Sequence, residues 1–406
     1  MVGALKIFVI DGEPSGDRLG AALMAGIKAL RPGCRFEGIG GAGMSAQGLE
    51  SRFPMHELSL MGLVEVLPHL RTLLRRIRQT ADAIITERPD LVITIDSPDF
   101  TLRVLARVRA ALPDLPVVHY VAPSVWAWRP GRAAKMAPMV DHVLALLPFE
   151  PPYMQAAGMS CDFVGHPVVA ETLASVTEAL DFRDRHGIGA APLVLVLPGS
   201  RRGEISRLAP RFGETLRLVL AKRPEARVVV PAVAAQAESL RTAIASWPGA
   251  PLVLEEGALP VAEKRAAFAA ADVALAASGT VSLELAANAV PMVIAYDASF
   301  ISRVLVKRLV RVDTASLPNI ITGTRAIPEF LFEDCRPAPM AQAVLTLLGD
   351  DAARAAQLEV MAQTLDQLGR GDEDPGLRAA RSVLAFLAKR HKAGQSDGTR
   401  PHEPGG

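Results

Sequence analysis

The chain has 406 residues, half of them hydrophobic and 21% charged, with a net charge of +1. That length exceeds what one core holds and predicts two domains, and the apolar content excludes a disordered protein. The near-neutral balance excludes a global field that recruits nucleic acid, and three scattered cysteines (Cys34, Cys161, Cys335) exclude a disulfide framework and fit a reducing cytosol.

The apolar run Lys6–Ile10 reads as a first strand. It is too short for a signal peptide and enters Asp11 with no cleavage site. The turn Asp11–Asp17 follows and opens a helix over Arg18–Leu30. It lacks GxGxxG spacing, and its carboxylates would repel a pyrophosphate. An acidic, glycine-containing turn suits a hydroxyl-bearing ligand. The same residues also read as a capped turn with solvated acids, Ser15 or Asp17 capping the helix.

After the strand Phe36–Ile39 comes Met61–Arg78, where Leu63, Val66, Leu67, Leu70, Leu73, Leu74 and Ile77 recur at helical spacing. Arg71, Arg75, Arg76 and Arg78 cluster at its end, and Pro68 predicts a kink or a fresh start. On pattern alone this is an amphipathic helix packed on the first sheet with a solvated basic end.

The strand Leu91–Ile95 places Asp96 at its carboxyl edge, while Asp99 after Pro98 is read as a helix cap. The strand Val117–Val121 leads into Pro123–Arg132, a ten-residue stretch holding two of the three tryptophans. Two readings stand for it: Trp126 and Trp128 cap the core, or with Ser124, Arg129 and Arg132 they form a surface for sugar and anion. Val143–Leu147 completes the first set of strands, and Gly165-His-Pro167 marks a domain boundary.

A second alternating series follows: Leu193–Leu197, Val228–Pro231, Leu252–Leu254, Val273–Ala276 and Met292–Ala295. Short apolar runs alternating with helices predict parallel sheets covered on both faces. Leu193–Leu197 feeds Pro198–Glu204 and then a helix. Such a loop presents backbone N–H groups and the positive helix end to an anion, with Gly199, Ser200, Arg201 and Arg202 in position to hold a diphosphate. It is not a Walker loop, for no GK[ST] is present; a plain capped strand–helix turn is the other reading.

Ser278, Gly279 and Thr280 form a second loop of this kind, followed by a helix whose lone acid, Glu284, calls for a partner. A salt bridge to a neighbouring helix satisfies that demand. The alanine-rich stretch Ala266–Tyr296 is interrupted by charge, glycine and proline, which excludes a membrane span and makes the protein soluble or peripheral. A basic, apolar helix over Arg303–Arg311 precedes Ser316–Ile321, and from Arg390 the composition predicts a disordered tail.

Five segments, Gly12–Asp17, Ile95–Phe100, Pro123–Arg129, Leu197–Arg201 and Ser316–Ile321, resemble in this order the signatures of the lipid-A-disaccharide synthase family. The resemblance runs from Lys6 to Leu387. It implies two Rossmann-like doubly wound domains facing a cleft, the GT-B architecture. The expected boundaries are 1–167 for the acceptor side, 168–365 for the UDP-sugar side, 366–389 for a helix returning to the first domain, and 390–406 for the tail.

The implied reaction is an inverting transfer from UDP-2,3-diacylglucosamine to 2,3-diacylglucosamine 1-phosphate, giving a β-1,6 disaccharide and UDP. The resemblance places Glu13, Ser15 and Asp17, with Ser124, Trp126 and Arg129, on the acceptor side, Glu284 at the ribose, and Asn319 in the donor site. Such a transfer needs a base on the acceptor hydroxyl, and Asp96 is the candidate. Arg201 with the helix-end loops would stabilise the leaving UDP, so no metal and no cofactor are expected. The one Asp-x-Asp, Asp372-Glu-Asp374, sits in a polar segment and reads as solvated.

The sequence departs from the family at Asp11, where a small residue is usual, and at Phe332, where a glutamine is usual. Because both implied substrates carry acyl chains, the resemblance turns the basic helix toward an anionic membrane. Leu70, Leu74, Arg71, Arg75 and Arg76 are then its contacts, on the cytoplasmic face of the inner membrane. Two other functions share these motifs in part, a UDP-sugar epimerase of the same fold and a non-catalytic glycolipid-binding protein. A homo-oligomer is left open.

Overall fold

The computed structural model describes residues 4–58, 63–257, 261–298 and 313–397. The chain forms two compact units, Met1–Pro167 with Gly371–Gly406, and Val168–Arg370.

In the first unit, seven strands run β1 (Lys6–Ile10), β2 (Arg35–Ile39), β3 (Glu50–Ser51), β4 (Leu91–Ile95), β5 (Val117–Tyr120), β6 (His142–Ala145) and β7 (Ser160–Phe163). They pair in parallel in the order β3-β2-β1-β4-β5-β6-β7. Parallel neighbours need crossover helices, and these bury both faces of the sheet. β4 shows the result: all five of its residues are buried, and alternate side chains enter different cores. Val92 packs with Val104 and Val108 of the helix Pro98–Ala111 and with Ile77 and Ile84 of the helix Leu63–Glu87. Ile93 and Ile95 pack on the opposite face with Leu23, Met24 and Ile27 of the helix Pro14–Leu30.

The second unit repeats this plan with β8 (Leu193–Leu197), β9 (Arg227–Ala232), β10 (Leu252–Glu255), β11 (Val273–Ala277), β12 (Met292–Tyr296) and β13 (Glu329–Leu331), all parallel, in the order β10-β9-β8-β11-β12-β13. Val194 and Val196 of β8 enter one core, and Leu193, Leu195 and Leu197 the other. Fully burying one such side chain contributes about 1.5–3 kcal/mol.

The long apolar runs all became strands. β3, β7 and β13 carry no such run, because they are short edge strands that are at most half buried along their length.

The C-terminal helix, Pro375–Asp397, belongs to the first unit and brings Ala379, Ala380, Val383 and Leu387 into the core beside the helix Pro14–Leu30. It continues past Arg390, where composition set a disordered tail. The physical reason is anchoring: Arg390 pairs with Asp141 at 3.0 Å and donates to the Asp114 carbonyl at 2.9 Å. Residues 398–406 lie outside the described residues. The acidic run before this helix is tied to it, Asp372 to Arg378, Glu373 to Arg381, and Asp374 Oδ1 to the backbone N–H groups of Gly376 and Leu377.

Both sheets reverse winding direction once. The chain leaves β1 for β2 and β3, then returns to β4 on the other side of β1; it leaves β8 for β9 and β10, then returns to β11. The crevice beyond the carboxyl ends of such a strand pair is where open α/β sheets bind ligands.

Candidate functional site

At the carboxyl end of β1 the helix Pro14–Leu30 starts directly, with Glu13 as N-cap residue and Pro14 in the first turn, earlier than the Arg18 expected. Ser15 is exposed and Glu13 half-buried. Neither Ser15 nor Asp17 caps this helix. Asp17 instead points away: its carboxylate accepts the backbone N–H groups of Gly41 at 2.8 Å, Gly43 at 2.7 Å and Met44 at 3.0 Å. Those bonds tie down the start of the short helix Ala42–Ala46, a structural task for the Asp17 carboxylate.

Asp96 follows β4 with φ of 45°, and Ser97 comes next with φ of 43°. Two consecutive left-handed non-glycine residues store strain of about 1–3 kcal/mol each, which folds keep mostly at functional sites. Gly12 lies against this turn, since a Cβ there would stand 2.9 Å from Ser97 Oγ. The β1 and β4 ends therefore meet at the switch point. Asp99 does not cap its helix; Ser97 holds the N-cap position, and exposed Asp99 lies 3.7 Å from Arg132.

Asp11 is fully buried between these elements. Its Oδ1 accepts the Glu13 N–H at 3.3 Å, while its Oδ2 is buried with no hydrogen-bond partner. A Cβ on Gly16 would fall 2.0 Å from Oδ1, so only glycine leaves room for this carboxyl. Burial pushes the Asp11 acid up to about 8, against the pull of the Glu13 and Gly12 N–H groups, and the charges of Asp17 and Asp96 add to the rise.

Beyond β5, half-buried Trp126 packs edge-on against Phe149 at 5.1 Å and donates from Nε1 to Glu150 Oε1 at 3.2 Å. Trp128 is 39% exposed with the Arg129 guanidinium 4.2 Å over its ring. Ser124 is exposed, and its carbonyl accepts the N–H groups of Ala127 and Trp128. Glu150 also accepts from the Leu146 and Leu147 N–H groups, and burial pushes it up to about 7.

In the second unit a cavity of about 420 Å³ opens at the β8/β11 switch point. Gly199, Ser200 and Arg201 line it from the β8 side, and Ser278, Gly279 and Thr280 with Glu284 from the β11 side. Glu284 finds its partner in Lys264, 3.3 Å away on the helix Val261–Ala270. Glu204, which the sequence reading passed over, sits on the loop after β8: its Oε2 accepts the N–H groups of Ser200 at 3.1 Å and Arg201 at 3.4 Å, and its Oε1 the Arg201 guanidinium at 3.1 Å. The signal was present as an acid three residues after the N-cap position, the spacing of a capping box.

Asn319 is not a lining residue. It is fully buried, and its amide is spent on the backbone of Ile327 and on Glu329 Oε1 at 2.7 Å. In this structure the Asn319 amide braces its own segment. Glu329 is the hub, accepting also from Thr314 Oγ1 and from the Ala315 and Ser316 N–H groups. Ser278 Oγ donates to the Ala315 carbonyl at 2.7 Å, so this braced segment backs the β11 loop. Phe332 packs edge-on against Tyr296 at 5.6 Å. The basic stretch Arg303–Arg311 lies outside the described residues.

The helix Leu63–Glu87 runs unbroken through Pro68. Ile77 is buried, and Leu73 packs on the core. Leu74 is 40% exposed, with Arg71, Arg75 and Arg78 exposed around it. Arg76 departs from the expected membrane set: it pairs with Glu57 at 2.7 Å and stacks over Phe53 at 4.2 Å, which turns it inward. The side chain of Leu70 lies outside the described residues. Among the described residues no helix is long and apolar enough to cross a membrane.

Comparison with known proteins adds to this geometry. A family profile described as Lipid-A-disaccharide synthetase matches residues 7–375. A lipid-A-disaccharide synthase of Ruegeria pomeroyi is 55% identical over 387 residues, covering 94% of this chain and 96% of that one. Another, from Rhodospirillum centenum, is 49% identical over 399 residues, covering 97% and 98%. Among solved structures, the UDP-GlcNAc 2-epimerase from Neisseria meningitidis shares the fold with a TM-score of 0.62 at 11% identity, covering 96% of this chain and 100% of that one.

Proposed function

The chain belongs to the lipid-A-disaccharide synthase family, a family of glycosyltransferases, and from that premise we propose that it joins UDP-2,3-diacylglucosamine to 2,3-diacylglucosamine 1-phosphate. The product is the β-1,6 disaccharide 1-phosphate, with UDP released. In this reading the acceptor's 6-hydroxyl oxygen bonds to the donor's anomeric carbon from the face opposite the diphosphate. The bond from that carbon to the phosphate oxygen breaks, and UDP leaves with the electron pair.

Asp96 takes the hydroxyl proton, as a carboxylate at a strand end beside the Gly12–Ser15 turn is placed to do. Glu13, Ser15, Ser124 and the Trp128–Arg129 pair contact the acceptor. Arg201 and the N–H groups of the Ser200 and Ser278–Thr280 loops hold the diphosphate, and their fixed positive ends offset the charge that grows on the leaving oxygen. Glu284 accepts from the ribose hydroxyls.

The observation that carries this reading is the cavity at the β8/β11 switch point, where two glycine-bearing loops, one carrying an arginine, face a carboxylate. We further place the enzyme at the cytoplasmic face of the inner membrane, with Arg71, Leu74 and Arg75 toward anionic lipid.

Purified protein mixed with the two acylated substrates should yield the disaccharide and an equal amount of UDP by mass spectrometry. Conversion of the UDP-sugar alone to an isomer would assign an epimerase instead. Binding without UDP release would leave only a glycolipid-binding protein.

A further inference from the structure

The Asp11 carboxyl is a buried acid at the β1/β4 crevice that the proposed transfer does not use. It has no exposed surface, and one oxygen has no hydrogen-bond partner. The charged side chains that act on it most strongly are acids. From the helix Pro14–Leu30 comes Asp17, from the end of β4 comes Asp96, and Glu13 stands at the helix cap; β2 contributes only the Ile39 carbonyl, which accepts the Asp11 backbone N–H at 3.0 Å.

A charged carboxylate placed there would be desolvated, with only two backbone N–H groups in its favour and two acids against it. The sequence nevertheless shapes itself around this carboxyl, because Gly16 leaves the space that Oδ1 occupies.

We infer that Asp11 is a positioning residue for the transfer: it stays a neutral carboxylic acid at working pH and so adds no charge beside Asp96. The inference rests on the reading of Asp96 as the base. A neutral Asp11 leaves the crevice open to an acceptor that itself carries a phosphate. An ionised Asp11 adds a further negative charge there, repels that phosphate and tightens the hold of Asp96 on any proton it has taken. Burial sets the changeover at about 8. This chain would therefore lose acceptor affinity on the alkaline side.

The test compares wild type with Asp11→Asn, whose side chain is isosteric and never charged, and with Asp11→Ala should the amide disturb folding. Steady-state rates are followed from about pH 6 to 10. For wild type, kcat/KM for the acceptor should fall about tenfold per pH unit above the changeover, carried by KM, whereas the neutral variants stay level over the same range. Infrared difference spectra of wild type against Asp11→Asn read the proton without catalysis, as a protonated carboxyl band present at pH 7 and lost on the same alkaline limb.

An Asn or Ala variant with the wild-type alkaline fall would overturn the inference, as would absence of the protonated band at pH 7. The base reading fails separately, through an Asp96→Asn protein that keeps its turnover, and the infrared band is read independently of that result.

Discussion

Glu204 Oε2 accepts the backbone N–H of Ser200 at 3.1 Å, which places one of the protein's own carboxylates on the loop that the proposed function gives to a diphosphate. In that reading a bound diphosphate would compete with Glu204 for the same N–H groups, and Glu204 also holds the Arg201 guanidinium. Two substitutions should then move UDP binding in opposite directions. Glu204→Gln removes the competing charge and should tighten UDP severalfold, while Arg201→Ala should weaken UDP and donor together by about tenfold or more, the range of a charge-assisted bond. Isothermal titration with UDP reads both. Equal weakening by the two would show that Glu204 orients Arg201 for the ligand and does not compete with it.

For Asp96, Asp96→Asn keeps size and hydrogen bonding but loses the proton acceptor. Turnover should drop by about 10²–10⁴, the usual contribution of a positioned base, with UDP affinity within about twofold of wild type. Turnover near the native rate would remove Asp96 from that role.

At the basic helix, the pairing of Arg76 with Glu57 separates two kinds of arginine. Arg71→Glu/Arg75→Glu should lower sedimentation with anionic vesicles, an effect that added salt reproduces in the wild type, and should leave the melting temperature in place. Arg76→Glu should lower the melting temperature, because it sets a like charge against Glu57 and removes the stack on Phe53. Undiminished vesicle binding by the Arg71/Arg75 variant would return this face to plain solvent exposure.

Glu150 links pH to the tryptophan-bearing loop. Its folded-state value, raised by burial from 4.5 to about 7, means that the unfolded chain releases this proton first as pH rises. The folded state therefore loses stability between about pH 4.5 and 7, by up to about 3 kcal/mol, and the penalty is complete above that window. Glu150→Gln should flatten this part of the stability–pH curve and raise the melting temperature at pH 8. The difference in tryptophan emission between the two proteins should titrate near pH 7, because Trp126 donates directly to this carboxyl. A difference spectrum flat across pH 6–8 would count against it.

Much of the fold was legible because strands buried on both faces write continuous apolar runs. Leu193–Leu197 and Leu91–Ile95 are strands residue for residue. The two anion-friendly loops were legible for a related reason, since glycines and arginines between a strand and a helix are local in sequence. What escaped was pairing at a distance. Nothing near Asn319 announces that Glu329 and Ile327 consume its amide, and nothing near Arg76 names Glu57 nineteen residues away. The bonds of Asp17 escaped for the same reason, its partners being backbone N–H groups 24 to 27 residues on. Edge strands such as β7 were faint because half-buried strands need no apolar run.

The helix Pro375–Asp397 has a consequence for how the chain is made. It supplies Ala379, Ala380, Val383 and Leu387 to the core beside the helix Pro14–Leu30, so the unit whose strands leave the ribosome first is finished last. The intervening unit, continuous from Val168 to Arg370, can close its own cores while the earlier one still waits with an apolar face uncovered. During that interval a chaperone has a defined surface to shield, and a nonsense codon just after Arg370 would release a chain with one sound core and one open one.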